Sequence, residues 1–356
     1  MNMPIASAES GGVSLIASNA GLFVCPVCGG ELSVARGPIA CSSCHRTFTS
    51  DGAIPQLFWQ NDWPGDKPDV TETIRAFYEE TPFPNYDGLD SSSSLREKAT
   101  QGVFARLLDD QIPFGSRILE VGCGTGQLSN FLGTTWGRTI FAADGCLNSL
   151  RLAENFRRRN QIRSVQFLHM NLFRPVFKPQ SFDFVLCNGV LHHTSDPFLG
   201  FQTIANLVKP GGVILIGLYN KYSRLVTDFV RLLLRVSGDR VQFLDPRLRD
   251  KSADRTRRHT WFMDRFKNPH ESKHSIAEVQ RWFEVSGFEF MNSIPKASGE
   301  AFSATERLFE PHPKGTKFQQ FAAQSKELLA GGRDGGLFIM IGRKAKPVPG
   351  EPQNIE

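Results

Sequence analysis

Four cysteines and one glycine-rich loop carry most of the chemistry this chain offers. Cys25-Pro26-Val27-Cys28 and Cys41-Ser42-Ser43-Cys44 are two Cys-x-x-Cys knuckles with twelve residues between them. Each knuckle can present two thiolates on one tight turn, and four thiolates complete the tetrahedral shell that zinc favours. Such a site leaves no open coordination position, so its metal is structural. Disulfides are the alternative, and a chain without a secretion signal disfavours them. The loop is Glu120-Val121-Gly122-Cys123-Gly124-Thr125-Gly126, entered from apolar Ile118-Leu119 and left by helix-like Gln127–Leu132. Glycines serve where the backbone bends with positive φ or where a ligand must lie against bare main chain. The helix N-terminus just beyond offers free N–H groups to a polar ligand. Asp144, twenty residues after Gly124, ends a second apolar run, Arg138–Ala143. In doubly wound sheets an acid at that point accepts hydrogen bonds from ribose hydroxyls.

The elements that must position these groups read as alternating strands and helices. Ser181-Phe182-Asp183-Phe184-Val185-Leu186-Cys187-Asn188 has the composition of a buried strand, and Val208-Lys209-Pro210-Gly211-Gly212 turns into another ending at Gly217. Thr71–Glu80 and residues 92–110 read as two helices ahead of the first strand. Ser275 with Glu278 three residues later forms a capping box for a helix that Gly287 ends; strands follow at Phe288–Ile294 and Leu337–Gly342.

Glu-x-Gly-x-Gly-x-Gly, the acid after the second strand, Phe-Asp-Phe-Val-Leu-Cys-Asn-Gly-Val-Leu-His-His and Leu-Val-Lys-Pro-Gly-Gly, in that order, resemble the class I S-adenosylmethionine-dependent methyltransferases. The likeness covers about residues 114–220 and resumes at 275–343. It implies an α/β fold: a seven-stranded Rossmann-like sheet with helices on both faces, here joined by a small N-terminal zinc ribbon and a mainly helical lid insertion. It implies S-adenosyl-L-methionine as cofactor beside structural Zn2+. By the same likeness Gly122, Gly124 and Gly126 admit the methionine part of the cofactor and Glu120 faces its amino end. Asp144 holds the ribose, and Asn171 stands where an acid usually accepts from the adenine amino group. Asn188 and Gly189 line the cleft near the sulfonium. N-terminal helices often cover this cleft in the family, so Tyr78 and Tyr86, with Phe83, are expected as an aromatic wall favourable to a cation.

The expected boundaries are a disordered leader over 1–21, the zinc ribbon over 22–60, a linker with cap helices over 61–112, and the methyltransferase domain over 113–344. Insertions fall at about 221–270 and 295–334, and residues 345–356 form a disordered tail. The leader lacks the basic start of a signal peptide. Hydrophobic residues make up 40% and charged residues 22%, the balance of a globular protein. No apolar run approaches the roughly 18 residues of a membrane span. A cytoplasmic enzyme is therefore expected.

The acceptor side is written less clearly. His192 and His193 follow a strand end that borders the cleft, and either could act as base. Tyr219 and Asn220 end the next strand and are expected to orient the acceptor. Residues 221–270 hold 13 Lys and Arg against 6 Asp, a surplus of 7, while the whole chain carries +5. Arg224, Asp228, Arg231 and Arg235 fall on one helical stripe, expected as the charged edge of a buried lid helix, and Arg255, Arg257 and Arg258 follow in a basic loop. A small-molecule or biosynthetic-intermediate acceptor suits an enclosed, lid-rich architecture. RNA suits the ribbon together with the basic insertion. A catalytically silent cofactor-binding scaffold, with a protein partner on the ribbon, is the third reading.

Overall fold

The computed structural model describes residues 15–34, 38–63, 69–84, 86, 88–237, 262–329 and 336–347. A small N-terminal unit comes first, with β1 (Leu32–Ser33), β2 (Ile39–Cys41) and β3 (Thr47–Phe48) in an antiparallel sheet and β4 (Ser50–Asp51) paired with β5 (Ile54–Pro55). The main sheet holds β6 (Arg117–Val121), β7 (Thr139–Asp144), β8 (Val165–His169), β9 (Phe182–Asn188), β10 (Val208–Tyr219), β11 (Phe288–Ile294) and β12 (Leu337–Lys344). Their order across the sheet is β11-β12-β10-β9-β6-β7-β8, and β12 alone runs antiparallel to its neighbours. The strand order reverses between β6 and β9, which places a crevice at the carboxyl ends of these strands.

Both faces of the sheet are covered, so its strands read as continuous apolar runs rather than alternating ones. Ile118, Ile140 and Ala142 point into one buried cluster, and Leu119, Val121, Phe141 and Ala143 into the other. Phe23, Leu32, Ile39, Phe48 and Leu57 of the N-terminal unit belong to that second cluster. Phe23 lies edge-on to Phe141, with ring centroids 5.8 Å apart. Fewer than about 40 residues cannot bury a core of their own, and here the small unit borrows the sheet's. Leu57 N–H also donates to the His169 carbonyl at 2.9 Å, joining it to β8.

Several expectations are corrected. The leader is ordered from Leu15, because Ile16 and Leu22 pack against the core beside Phe23; residues 1–14 lie outside the described residues. The helix expected over 92–110 is two, Ser92–Gln101 and Val103–Gln111, parted at Gly102, whose extended φ of −81° and ψ of 120° interrupts the turn. The tail beyond residue 347 and the basic loop with Arg255, Arg257 and Arg258 also lie outside the described residues. Among the described residues no helix is long and apolar enough to cross a membrane.

The helix Leu225–Ser237 is not the buried helix expected. Arg224, just before it, is fully buried, the Asp228 side chain is 36% exposed, and Leu225 and Phe229 are 54% and 60% exposed. What holds Arg224 inside lies 47 residues away in the chain. Glu271 pairs with Arg224, whose Nε donates at 3.1 Å, and takes a second bond from Arg231 at 2.7 Å. The Arg224 guanidinium also stacks 3.8 Å from the Tyr219 ring centroid. Burial works to raise Glu271, but the two arginines outweigh it and hold its carboxyl below the ordinary value. Glu271→Ala leaves a buried guanidinium without its carboxylate. We expect a loss of about 3 kcal/mol or more in urea unfolding, against a smaller loss for Glu271→Gln.

Candidate active site

A cavity of about 480 Å³ opens at the carboxyl ends of β6, β7, β9 and β10, within the range of small-molecule sites. Its floor is the glycine loop. Gly122, Gly124 and Gly126 all take positive φ, at 71°, 52° and 71°. At Gly124 a Cβ would also fall 2.5 Å from the Phe83 carbonyl oxygen, so the residue is fixed by the chain above it as well as by its own φ. Its N–H donates to Asp144 Oδ2 at 2.7 Å, and the Cys146 N–H donates to Asp144 Oδ1 at 2.7 Å. The half-buried carboxylate thus clasps the glycine loop to the start of the helix Leu147–Arg159. Enclosure by the protein still raises Asp144 to about 6, because the N–H donors offset only part of the lost hydration. Glu120, buried on the same cavity, is raised to about 7 by burial and accepts the Ser129 hydroxyl.

The helix Thr71–Glu80 roofs the cavity with Ile74, Arg75 and Tyr78. Glu79 pins it there: its carboxylate accepts the N–H groups of Leu147 and Asn148 at 2.7 and 3.0 Å, the open N-terminus of the helix below. Tyr78 accepts from the Asn268 amide at 3.0 Å and meets the His193 ring edge-on at 6.2 Å.

Of the expected residues, Glu120, Gly122, Gly124, Asp144, Asn188, Gly189, Tyr78, Phe83, His193 and Tyr219 all line this one cavity. Gly126 stands behind it as the N-cap of Gln127–Gly133, against Phe167 and Ala153. Asn171 reaches the wall, but its amide nitrogen donates to the Trp59 carbonyl at 2.7 Å and Asn61 Oδ1 at 2.8 Å, and its oxygen accepts from Phe173 N–H. It fastens the chain leaving the N-terminal unit. Three expectations fail on position. Tyr86 turns away to stack on Phe156 at 4.4 Å and to accept from Asn130. Asn220 is buried, accepting from Tyr222 and Ser223 N–H and donating to Gln324, so it closes the turn after β10. His192 is wholly enclosed behind Tyr219, 3.8 Å between ring centroids, and neither ring nitrogen has a hydrogen-bond partner among the described residues. Burial, then His193 and Arg224, push its basicity far down.

His193 keeps its place on the wall because its Nδ1 bonds the His270 carbonyl at 2.8 Å. Sequence reasoning missed Phe58, Arg75, Arg224 and Phe266, which also line the cavity. None sits in a strand-end motif; only the helical stripe through Arg224 gives a signal, as the charged edge expected of a lid helix.

The four cysteines come together as well. Their sulfurs all lie within 4.8 Å of one another, with Cys25 to Cys44 at 3.8 Å and Cys28 to Cys41 at 3.5 Å. A tetrahedron with Zn–S of about 2.3 Å has edges of roughly 3.8 Å. Cys41 Sγ also accepts the Ser43 and Cys44 N–H groups at 3.4 Å each, as a thiolate in a knuckle does. The isolated Cys123, Cys146 and Cys187 are buried.

Two measurements follow from the glycine loop and its acids. Gly124→Ala should lose about 1–2 kcal/mol from its left-handed φ alone, read by urea unfolding. Asp144 and Glu120 sit above their ordinary values of 3.8 and 4.5, so the stability they lend is full below those values and is lost as pH rises through about 6 and about 7. The melting temperature of the ligand-free protein, compared with Glu120→Gln, should therefore fall as pH climbs from about 4.5 to about 7; a constant difference would contradict the raised value.

A methyltransferase-domain family matches residues 88–292. An uncharacterized protein of Synechococcus sp. is 27% identical over 249 residues, covering 62% of this chain and 60% of its own. A ubiquinone biosynthesis O-methyltransferase of Paracidovorax citrulli is 32% identical over 111 residues, covering 31% of this chain and 46% of its own. The chain spans about half the length of the curated relatives it matches. The solved magnesium protoporphyrin IX methyltransferase of Synechocystis, with bound SAH, covers 78% of this chain and 100% of its own at 14% identity and a TM-score of 0.43. With more than half of its length inside the matched region, this chain belongs to the methyltransferase-domain family.

Proposed function

We propose that this protein transfers a methyl group from S-adenosylmethionine to a nucleophilic oxygen, nitrogen or carbon of a small-molecule or biosynthetic-intermediate acceptor. The observation that carries this is Asp144, held on the cavity wall by two main-chain N–H groups, with Glu120 close by in a chamber that the rings of Phe58, Tyr78, Phe83 and Tyr219 line together with Arg75 and Arg224. That donor set fits the cofactor: carboxylate oxygens for ribose hydroxyls, a second acid for an ammonium, and rings for a sulfonium. When bound, the cofactor supplies a methyl group already activated on its sulfonium. The protein's part is to hold the acceptor in line and to exclude water. Tyr78, Asn188 and Tyr219 shape the acceptor end. His193, with Nδ1 committed to the His270 carbonyl, presents Nε2 as the ring's basic atom for a hydroxyl proton.

A cavity of about 480 Å³ favours a small acceptor over a polymer, and the ubiquinone-pathway relatives are O-methyltransferases by name. Structural Zn2+ at Cys25, Cys28, Cys41 and Cys44 completes the proposal; the sulfur spacing supports it. Methyl-labelled S-adenosylmethionine, incubated with the protein and with extract split into RNA, protein and small-molecule fractions, tests the assignment. Label should enter the small-molecule fraction and be lost in Asp144→Ala, whose affinity for S-adenosylhomocysteine should fall about tenfold or more. Label in RNA would overturn the acceptor class. Cofactor binding without any labelled product would mark a silent scaffold.

A further inference from the structure

The N-terminal unit leaves its last strand directly into the cavity. Phe58, three residues after β5, lies on the cavity wall with Asp144, Gly145 and Asn171. Its ring stacks on His169 with centroids 5.1 Å apart and planes 18° apart, and His169 Nε2 bonds the Gly145 carbonyl at 3.0 Å. On another side the Arg75 guanidinium stands 5.6 Å from the Phe58 ring centroid. Both flanks of the residue are fixed. Leu57 N–H donates to the His169 carbonyl, and the Trp59 carbonyl and Asn61 side chain accept from Asn171. The Trp59 ring in turn carries the Arg46 guanidinium, 4.7 Å from its centroid, and Arg46 lies two residues beyond the last cysteine.

We infer that Phe58 is the wall against which the purine end of the cofactor binds, and that the cysteine-bound metal and the cofactor pocket form one thermodynamic unit through it. This rests on the cofactor assignment above. Three observations carry it. The ring sits beside the ribose acid, where a nucleoside's base must continue. With His169 stacked on one face and Arg75 over the ring, Phe58 offers the cavity its edge, and aromatic rings pack edge-to-face as well as stacked. And Asn171, the side chain expected to read the adenine amino group, is occupied in fastening the very segment that presents Phe58. Polar recognition from the sheet has been exchanged for an aromatic contact with a residue that the N-terminal unit delivers. That unit has no core of its own, so its metal supplies much of its order. Losing the metal releases Phe58.

The test uses the full-length chain, with S-adenosylhomocysteine affinity by calorimetry and bound zinc by atomic absorption. Phe58→Ala should weaken binding about 5- to 100-fold with zinc content unchanged, while Phe58→Trp stays within about threefold. Zinc removal, or Cys41→Ser with Cys44→Ser, should weaken binding in the native background. It should add little once Phe58 is alanine, because the two changes act through the same contact. If Phe58→Ala binds within twofold of the native chain while Asp144→Ala is impaired, the coupling is refuted and the cofactor assignment stands. If Asp144→Ala also binds normally, the cofactor assignment itself fails.

Discussion

Everything at the cavity hangs on how one carboxylate is held. Asp144 ends β7 and takes a main-chain N–H from the loop after β6 and another from the turn after its own strand. This makes two neighbouring strand ends one rigid edge. The clasp comes at an electrostatic cost: the acid is held at about 6, with Glu120 near 7 on the same chamber. Two neighbouring acids that resist ionising favour a ligand that brings donors and positive charge. The glycine loop is stretched between them. Its conformation answers first to Val190, the Phe83 carbonyl and Phe167, which leave no space for a Cβ at Gly122, Gly124 and Gly126.

The cavity is then closed by parts distant in sequence. The Thr71–Glu80 helix is docked by Glu79 on a helix N-terminus, the segment around His270 by His193, and Arg224 by Glu271. Each closure is a charge or dipole matched against a partner on another element. Among the described residues these polar pairs act beside one small apolar cluster of Val230, Phe262 and Phe266, and the Leu225–Ser237 helix leaves Leu225 and Phe229 facing outward.

What the sequence made legible was local. Strand ends at Asp144 and Asn188, the capping box of Ser275 and Glu278 and the paired knuckles depend on residues within a few positions of one another, and spacing reveals them. What it hid was decided at long range. Asn171 lines the cavity, but its amide nitrogen is held by Trp59, over 100 positions earlier. Asn220 answers to Gln324, and Arg224 and Arg231 turn inward because Glu271 waits there. His192 and His193 are indistinguishable in sequence. A short 3-10 turn over Leu191–His193 sends one ring behind Tyr219 and the other onto the cavity. Phe58 carried no signal because its importance comes from where an accessory unit happens to end.

The docking of that unit has another effect. β8 is the outermost strand on its side of the sheet, and an outer strand exposes a row of main-chain donors and acceptors. Here the row is partly occupied: Gln56 bridges to His169 in parallel, Leu57 N–H takes the His169 carbonyl, and the Gln166 side chain reaches the Ala53 carbonyl at 2.8 Å. The cysteine unit is thus a blunt end stitched onto the sheet. Stripped of it, the protein would present a bare β edge to its own copies, and loss of the unit's fold would then appear as edge-to-edge aggregation.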